Sequence, residues 1–259
     1  MKNSLPQILG TFVEQQRRLE QRVIFVSGAQ GSGKTTSAQM IANSHSDVAV
    51  LSLDDFYLPK SDRLKLAERI SPLFATRGPP GTHDIRLLNK TIIDLIQSSK
   101  DDEVRIPIFD KIIDDRCNPS EWRFLKGGPE IIIVEGWLMG VNPKISSLSS
   151  SPLNAVEAMD KDGAWRKYQE EQLASEYASL WDISNSYFHI IAPAFDAVKI
   201  WRAQQEETTL GLPSGTLSAK QHKWVNDFIM YYERLTQRML NKNVRAGLSV
   251  PIDMSRTPL

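Results

Sequence analysis

The sequence predicts an α/β fold with a mostly parallel sheet, because short strands alternate with helices along its 259 residues. One predicted strand, IIIV, is apolar without interruption, as expected for a central parallel strand that is covered on both faces. The hydrophobic content of 41% is sufficient for a core that needs no disulfide. We therefore expect a single domain over residues 1–259.

The individual elements follow from hydrophobic periodicity and from the positions of glycine and proline. Strands are predicted at 23–26, 48–53, 104–109, 131–134, 187–192 and 250–254. Helices are predicted at 5–21, 35–43, 61–70, 85–98, 164–180, 195–208 and 219–240. The segments 71–84 and 142–154 contain proline together with glycine, serine or asparagine, and they are predicted to be loops.

Charge and cysteine content narrow the possible function classes. The 31 basic and 31 acidic side chains give a formal net charge of zero, which argues against a nucleic-acid partner. Cys117 is the only cysteine and is interpreted as an ordinary loop thiol in a reducing compartment. Because the sequence contains no secretory signal and no apolar run of about 18 residues, we expect a cytoplasmic protein without membrane contact. The sequence does not indicate an oligomeric state.

A phosphate-binding motif joins the first predicted strand to the next helix. The segment GAQGSGKT matches G-x-x-x-x-G-K-[ST], in which glycines let backbone N–H groups approach an anion at a helix N-terminus. Lys34 is expected to act on the β- and γ-phosphates of ATP, and Thr35 to bind Mg²⁺. The residues predicted to hold the nucleotide are Gly28, Ala29, Gln30, Gly31, Ser32, Gly33, Lys34, Thr35 and Thr36. The motif and its flanking elements predict the three-layer P-loop NTPase fold.

Acidic residues follow two of the predicted strands. Glu135 comes directly after IIIV, where an acidic side chain is expected to organise the metal ion. Asp54 and Asp55 follow the strand at 48–53, where a carboxylate can accept a proton from a substrate hydroxyl. An aspartate in this place favours phosphoryl transfer to an alcohol. The alternatives are a Glu135 that caps its strand and two aspartates that cap the next helix.

The chain also resembles a known family of kinases. The segments GAQGSGKT, LSLDDFYL, RGPPGTHD, PIFDK, VEGWLMG, WRAQQE and DMSRTP occur in the order seen in D-glycerate 3-kinases. That family is related to uridine kinase, phosphoribulokinase and pantothenate kinase, and the resemblance spans nearly the whole chain from Val23 onward. It implies a P-loop kinase with a lid, which transfers a phosphoryl group from ATP to D-glycerate and forms 3-phosphoglycerate.

The resemblance implies roles for particular residues. Asp54, the first acid of D-x-F-Y, is implied to be the general base. Because a small hydroxy acid needs cationic partners for its carboxylate, the other motifs are taken as the acceptor site. The acceptor residues implied are Asp54, Arg77, His83, Asp84, Asp110 and Lys111. Arg202 is implied to act from a lid at about 200–218, where it neutralises charge on the transferring phosphoryl group.

Several of these residues also have plain structural interpretations. Arg77 could cap its own loop, and His83 with Asp84 could brace the proline turn beside them. Arg202 could pair with Glu206 one helical turn away.

An aromatic stripe marks the last long predicted helix. Trp224, Phe228, Tyr231, Leu235 and Met239 recur at helical spacing, which favours a face directed into the core. An oligomer interface is the alternative.

Two other functions remain open from the sequence. One is the same kinase chemistry on another small hydroxylated metabolite. The other is a regulatory ATP-binding protein that has no alcohol acceptor.

Overall fold

A computed structural model describes residues 3–144 and 151–259 of the chain. Its strands are β1 Val23–Gly28, β2 Val48–Ser52, β3 Glu103–Ile106, β4 Phe109–Asp110, β5 Asp115–Arg116, β6 Arg123–Lys126, β7 Ile131–Gly136, β8 Tyr187–Ile191 and β9 Leu248–Pro251. Five of them form one sheet in the order β2-β7-β1-β8-β9, and every neighbouring pair is parallel. The predicted α/β fold with a mostly parallel sheet is therefore confirmed.

The helices alternate with these strands. They are α1 Leu5–Arg18, α2 Lys34–Ser44, α3 Lys60–Arg69, α4 Ile85–Gln97, α5 Ala155–Met159, α6 Ala164–Ala174, α7 Glu176–Trp181, α8 Phe195–Thr209, α9 Ala219–Ile229 and α10 Glu233–Leu240. Short 3₁₀ turns occur at Leu53–Phe56, Pro72–Ala75, Pro119–Glu121 and Met230–Tyr232.

The centre of the sheet is the strand IIIV, as the sequence predicted. β7 lies between β2 and β1, and all six of its residues are buried. Side chains alternate between the two faces of a strand, yet Ile132 and Ile133 are both completely inaccessible to solvent. Both faces of the sheet are therefore covered, which gives the three layers of the fold.

Two predicted helices are interrupted in the structure. The helix expected over 164–180 breaks at Ser175, whose hydroxyl donates to the carbonyl of Glu171 at 2.6 Å. Such a bond competes with the helical backbone and bends helices. The helix expected over 219–240 tightens into the 3₁₀ turn Met230–Tyr232, which separates α9 from α10.

The small strands differ most from the sequence prediction. The strand expected over 104–109 ends at Ile106 because proline follows. Instead, β3 pairs with β6 and β4 with β5 in two antiparallel ribbons outside the main sheet. The first helix ends at Arg18 rather than at 21, since Glu20 adopts a left-handed φ of 57°. The last strand lies at 248–251 rather than 250–254.

Two other predictions concern loops and membranes. The prediction of a loop over 142–154 includes residues 145–150, which lie outside the described residues. Among helices within 3–144 and 151–259, none combines the length and the apolar character that crossing a bilayer requires.

The central position of β7 predicts a large effect of cavity formation there. We expect Ile133→Ala to lower the free energy of unfolding by about 2–5 kcal/mol, because a completely buried side chain leaves a void. The matched control Ile93→Ala removes the same atoms from an isoleucine on α4 that is 46% exposed, and should change stability by less than about 0.5 kcal/mol. Urea unfolding of both variants tests this, and equal losses would contradict it.

Candidate active site

The phosphate-binding loop connects β1 to α2 and depends on two left-handed glycines. Gly31 has φ 73° and Gly33 has φ 90°, a region that side-chain-bearing residues avoid. A Cβ atom at Gly31 would also lie 2.5 Å from the Cβ of Trp201. The loop therefore needs glycine at position 31 both for its backbone conformation and for its contact with α8.

A cavity of about 870 Å³ opens beside this loop, at the carboxyl ends of β1, β2 and β7. It is large enough for a nucleotide and a small second substrate. The predicted site residues that line it are Gln30, Lys34, Thr35, Asp54, Arg77, Lys111, Glu135 and Arg202. His83, Asp84 and Asp110 are not among the residues that line it.

Glu135 and Thr35 form a hydrogen-bonded pair at the base of the cavity. The Thr35 hydroxyl donates to Oε1 of Glu135 at 3.0 Å. Glu135 is 1% exposed, and its other oxygen, Oε2, has no hydrogen-bond partner in the described part of the chain. A buried carboxylate oxygen without a donor, next to a hydroxyl, is a suitable oxygen ligand set for Mg²⁺, either directly or through water.

Asp54 lies in the 3₁₀ turn after β2 and is held by two groups. Lys111 Nζ contacts Oδ2 at 2.6 Å, and the Tyr57 hydroxyl donates to Oδ1 at 3.0 Å. Burial alone would raise the pKa of Asp54, but the positive charges of Lys111 and Lys34 hold this pKa well below its usual range. Asp54 is therefore ionised at neutral pH, with 36% of its side chain accessible.

The neighbouring acid, Asp55, has the opposite character. Burial raises the pKa of Asp55 to about 6, and the charge of Asp54 adds to this shift against the opposing effect of Arg123. Arg123 on β6 contacts its carboxylate at 3.3 Å. Asp54 stays ionised to lower pH than Asp55, because the charges of Lys111 and Lys34 outweigh its burial, whereas at Asp55 burial outweighs the charges of Arg123 and Lys111.

Arg77 is fixed within the cavity wall. One of its N–H groups donates to Asp114, and its guanidinium lies 5.6 Å from the ring centroid of Phe109 and 5.7 Å from that of Phe228. The Tyr232 hydroxyl donates to its backbone carbonyl at 3.1 Å. Among the described residues, the Arg77 side chain contacts Asp114 and the two rings rather than its own loop. It lines the cavity and is held in place there.

His83 and Asp84 have structural contacts on the far side of Tyr57. The His83 ring stacks on the Tyr57 ring with centroids 4.5 Å apart, and its Nδ1 lies 2.6 Å from the Tyr177 hydroxyl. Burial lowers the pKa of His83 to about 3, so the ring is neutral. Asp84 caps α4 by accepting from Leu87 N. These contacts give both residues structural roles against Tyr57, Tyr177 and α4, and their contact with substrate stays a prediction.

Asp110 and Lys111 share one turn but have different surroundings. Asp110 Oδ1 accepts from the backbone N–H of Ile112 at 2.7 Å and so stabilises the turn. Lys111 extends from this turn into the cavity, where its contact with Asp54 raises the pKa of the ammonium group. Of these two residues, Lys111 lines the cavity and Asp110 does not.

Arg202 makes a structural ion pair and also lines the cavity, while the action on the transferring phosphoryl group that the resemblance implies stays a prediction. It pairs with Glu206 at 2.8 Å on the same helix, which is the structural interpretation. It also lines the cavity, with its guanidinium 5.4 Å from the Trp224 ring centroid and 5.3 Å from that of Phe228. The connection from α8 to α9 is tied to α8 because Glu207 accepts from the backbone of Gly215 at 2.7 Å.

The aromatic stripe of the last long predicted helix is divided between core and cavity. Leu235 and Met239 are buried, as predicted, whereas Trp224, Phe228 and Tyr231 line the cavity. Periodicity identifies a shared helical face but not what that face covers. Among the cavity residues that sequence reasoning did not assign to it are Tyr57, Asp114, Trp137, Trp224, Phe228, Tyr231 and Tyr232. Tyr57 and Trp137 stand in the motifs LSLDDFYL and VEGWLMG, which could have indicated them.

The C-terminal segment DMSRTP reaches the phosphate-binding loop. Arg256 Nε donates to the carbonyl of Gly31 at 2.5 Å, and its guanidinium lies 5.1 Å from the ring centroid of Trp201. Trp201 in turn donates from its indole N–H to the Met254 carbonyl at 3.0 Å. The left-handed turn of the loop is therefore held from α8 and from the end of the chain.

The parallel sheet, the glycine loop at a helix N-terminus and the Thr35–Glu135 pair define a P-loop nucleotide-binding protein. No family model matches the chain. The uncharacterized kinase mug58 of Schizosaccharomyces pombe is 32% identical over 231 residues, which cover 83% of this chain and 79% of that protein. The probable ATP-dependent kinase TDA10 of Saccharomyces cerevisiae is 29% identical over 265 residues, covering 90% of this chain and 85% of that protein.

A solved structure also supports a P-loop kinase. The D-glycerate 3-kinase from Cryptococcus neoformans matches with a TM-score of 0.79 and 26% identity, over 99% of this chain and 98% of that chain. The chain belongs to the D-glycerate 3-kinase family of P-loop kinases. The family expected from the sequence motifs is thereby confirmed.

The raised pKa of Asp55 predicts a pH-dependent stability. The folded state holds this proton up to about pH 6, whereas an unfolded aspartate loses it near pH 4. The stabilisation is complete below the unfolded pKa and is lost as the pH rises through about 6. The Asp55→Asn variant has no proton to lose at this position, so it escapes the loss of stability. The unfolding free energy of the variant minus that of the unsubstituted protein should therefore increase by about 1–2 kcal/mol between roughly pH 5 and pH 7.5. Urea unfolding across this range measures it, with the exposed Asp101→Asn as control, and parallel profiles would refute it.

Proposed function

We propose that this protein is an ATP-dependent kinase that phosphorylates the C3 hydroxyl of D-glycerate to give 3-phosphoglycerate. The observation that carries the proposal is an ionised Asp54 that shares a cavity with Lys34 of the phosphate-binding loop. Similarity to a D-glycerate 3-kinase over almost the whole chain supports the choice of acceptor. The relative from Saccharomyces cerevisiae, a probable ATP-dependent kinase, supports the choice of nucleotide.

The side chains of the cavity suggest how the transfer proceeds. Asp54 accepts a hydrogen bond from the acceptor hydroxyl and orients its oxygen towards the γ-phosphorus. As that oxygen bonds to the γ-phosphorus, the bond from the γ-phosphorus to the β–γ bridging oxygen breaks, ADP leaves with the bridging oxygen, and Asp54 takes up the hydroxyl proton. The low pKa of Asp54 keeps it ionised and therefore able to accept. Lys34 stabilises charge on the β- and γ-phosphates, and Arg202, which also lines the cavity, supplies a second positive charge.

A magnesium ion fits the Thr35–Glu135 pair. The unpartnered Oε2 of Glu135 and the Thr35 hydroxyl offer hard oxygen ligands beside the phosphate-binding loop. When bound there, Mg²⁺ neutralises charge on the β- and γ-phosphates. The protein's own contribution is to hold these two oxygen atoms in place.

The two alternatives differ in what they require of Asp54. A kinase for another hydroxylated metabolite would use the same carboxylate with a different acceptor. A regulatory ATP-binding protein needs no proton acceptor beside the phosphate-binding loop, whereas Asp54 lines the cavity together with Lys34 of that loop. That arrangement favours transfer to an alcohol.

Removal of the Asp54 charge tests the proposed transfer. We expect Asp54→Asn to lower kcat with D-glycerate by about 10²–10⁴-fold, because the hydroxyl loses its proton acceptor. ATP affinity should change little, since the phosphate-binding loop is intact. ADP release with NMR identification of the product is the measurement, and Asp101→Asn, at an exposed position, is the control.

A substrate panel decides the acceptor. D-glycerate, uridine, pantothenate and ribulose 5-phosphate are compared for stimulated ADP release with the unsubstituted protein. Stimulation by another compound alone would replace glycerate and keep the kinase. Slow hydrolysis that no acceptor stimulates, and that Asp54→Asn leaves unchanged, would favour the regulatory alternative.

Loss of the Glu135 charge tests the magnesium site. Glu135→Gln should raise the Mg²⁺ concentration required for half-maximal activity by about 10–100-fold, because the pair loses its anionic oxygen. A magnesium titration at saturating ATP measures this, with the exposed Glu103→Gln as control. An unchanged titration would place the metal elsewhere.

A further inference from the structure

A second and much smaller cavity, of about 10 Å³, lies among β1, β8 and α10. Its lining includes Ser27, Trp137, His189 and Thr236, and each of these residues is at most 2% exposed. The other residues that line it are apolar. Four polar side chains are thus gathered around one small space in otherwise apolar surroundings.

The register of the main sheet brings three of the four together. Ser27 on β1 pairs with His189 on β8 and with Gly136 on β7, and Trp137 directly follows Gly136. Because paired residues of neighbouring strands direct their side chains to the same face of a sheet, Ser27 and His189 share one face. The fourth residue, Thr236, is contributed by α10.

Each of the four side chains carries a buried polar atom that has no hydrogen-bond partner within residues 3–144 and 151–259. These atoms are Ser27 Oγ, Trp137 Nε1, His189 Nδ1 and Thr236 Oγ1. Buried polar atoms are rarely left unpaired, because the loss of their hydrogen bonds to water costs free energy. Since the rest of the lining is apolar, a ligand in the cavity is the partner that all four atoms can share.

The hydrogen-bonding roles of these atoms define the ligand. The indole N–H of Trp137 can only donate. His189 Nε2 lies 2.9 Å from the carbonyl oxygen of Arg245, which can only accept, so Nε2 carries the ring proton and Nδ1 is an acceptor. Burial lowers the pKa of His189, which keeps the ring neutral. The hydroxyls of Ser27 and Thr236 can serve either way, so the ligand must both accept and donate.

We infer that the cavity is a binding site for one water molecule, which accepts from Trp137, donates to His189 and exchanges hydrogen bonds with the two hydroxyls. About 10–15 Å³ is enough for one buried water, which makes about three hydrogen bonds in most proteins. An ammonium ion has no lone pair for the indole N–H, and a halide has no proton for Nδ1. The site depends neither on ATP nor on the identity of the acceptor.

This water site adjoins the active cavity through Trp137, which lines both cavities. The Trp137 ring packs edge-on against the Tyr232 ring, with centroids 4.8 Å apart, and Tyr232 also lines the active cavity. The water fixes the N–H edge of the indole, while Tyr232 packs against the ring. Through the water, His189 and Thr236 therefore act as positioning residues for one wall of the active cavity.

A high-resolution crystal structure of the full chain tests the site directly. We expect one peak of density in the small cavity, within about 2.7–3.2 Å of at least three of the four polar atoms. Nitrogen-15 NMR at neutral pH should show the His189 ring with its proton on Nε2. A cavity without density, direct hydrogen bonds among the four side chains, or a proton on Nδ1 would overturn the inference.

Substitution of Thr236 separates the effect of the water from that of packing. In Thr236→Val a methyl group replaces the hydroxyl, and because carbon packs at about 3.5–4.0 Å rather than at about 2.8 Å, the cavity no longer accommodates water. We expect loss of the density peak and an upfield shift of the Trp137 indole N–H resonance, which loses its acceptor. Thr236→Ser retains the hydroxyl and should keep both features of the unsubstituted protein.

Thr11→Val is the matched control, since it makes the same change at an exposed position of α1. Trp137→Phe identifies the indole resonance by its disappearance. A density peak that persists in Thr236→Val, or an indole resonance that moves equally in Thr236→Ser, would contradict the site. If Thr236→Val does not fold, the structure and the His189 tautomer of the unsubstituted protein still decide.

Discussion

The register of β7 between β1 and β2 is the constraint on which the site depends. Glu135 lies opposite Val26 on one side and Ser52 on the other. All three strands are parallel, so the phosphate-binding loop, Asp54 and Glu135 emerge at the same edge of the sheet. A shift of one residue in β7 would reverse the direction of its side chains and would separate Glu135 from Thr35. The hydrogen-bonded ladders that β7 makes with β1 and β2 hold it in this register.

Ion pairs between cavity side chains set their charges before any ligand binds. Lys111 and Lys34 keep Asp54 ionised, whereas its neighbour Asp55 is protonated more readily because burial of its carboxylate outweighs the charges of Arg123 and Lys111. Paired groups of this kind need little reorganisation when substrate binds, which is the general advantage of preorganised sites. The left-handed turn of the phosphate-binding loop is also held in place, by a hydrogen bond from Arg256 and by the close approach of Trp201.

Much of the fold and the nucleotide half of the site could be predicted because their signals are local. Glycine spacing, a strand before it and a helix after it suffice to locate the phosphate loop, and strong periodicity locates most strands and helices. For the acceptor side of the cavity, the sequence could not distinguish which of the candidate polar residues line it. Arg77, Asp84 and Asp110 are similar in sequence terms, since each is a polar residue in a proline- or turn-rich segment. Asp84 caps a helix and Asp110 a turn, while Arg77 reaches the cavity.

By itself, the sequence determined the α/β class, the anion-binding loop and the family, because these depend on residues close together in the chain. The tertiary structure alone decided which side chains meet. Asp114 was not distinguished by any motif, yet it joins Arg63, 51 positions away, to Arg77, 37 positions away. The aromatic stripe at 224–231 lines the cavity, although Phe228 and Tyr231 also pack against the core. Both outcomes depend on how distant segments pack, and neither spacing nor composition encodes a contact between segments whose approach is set by the folded sheet.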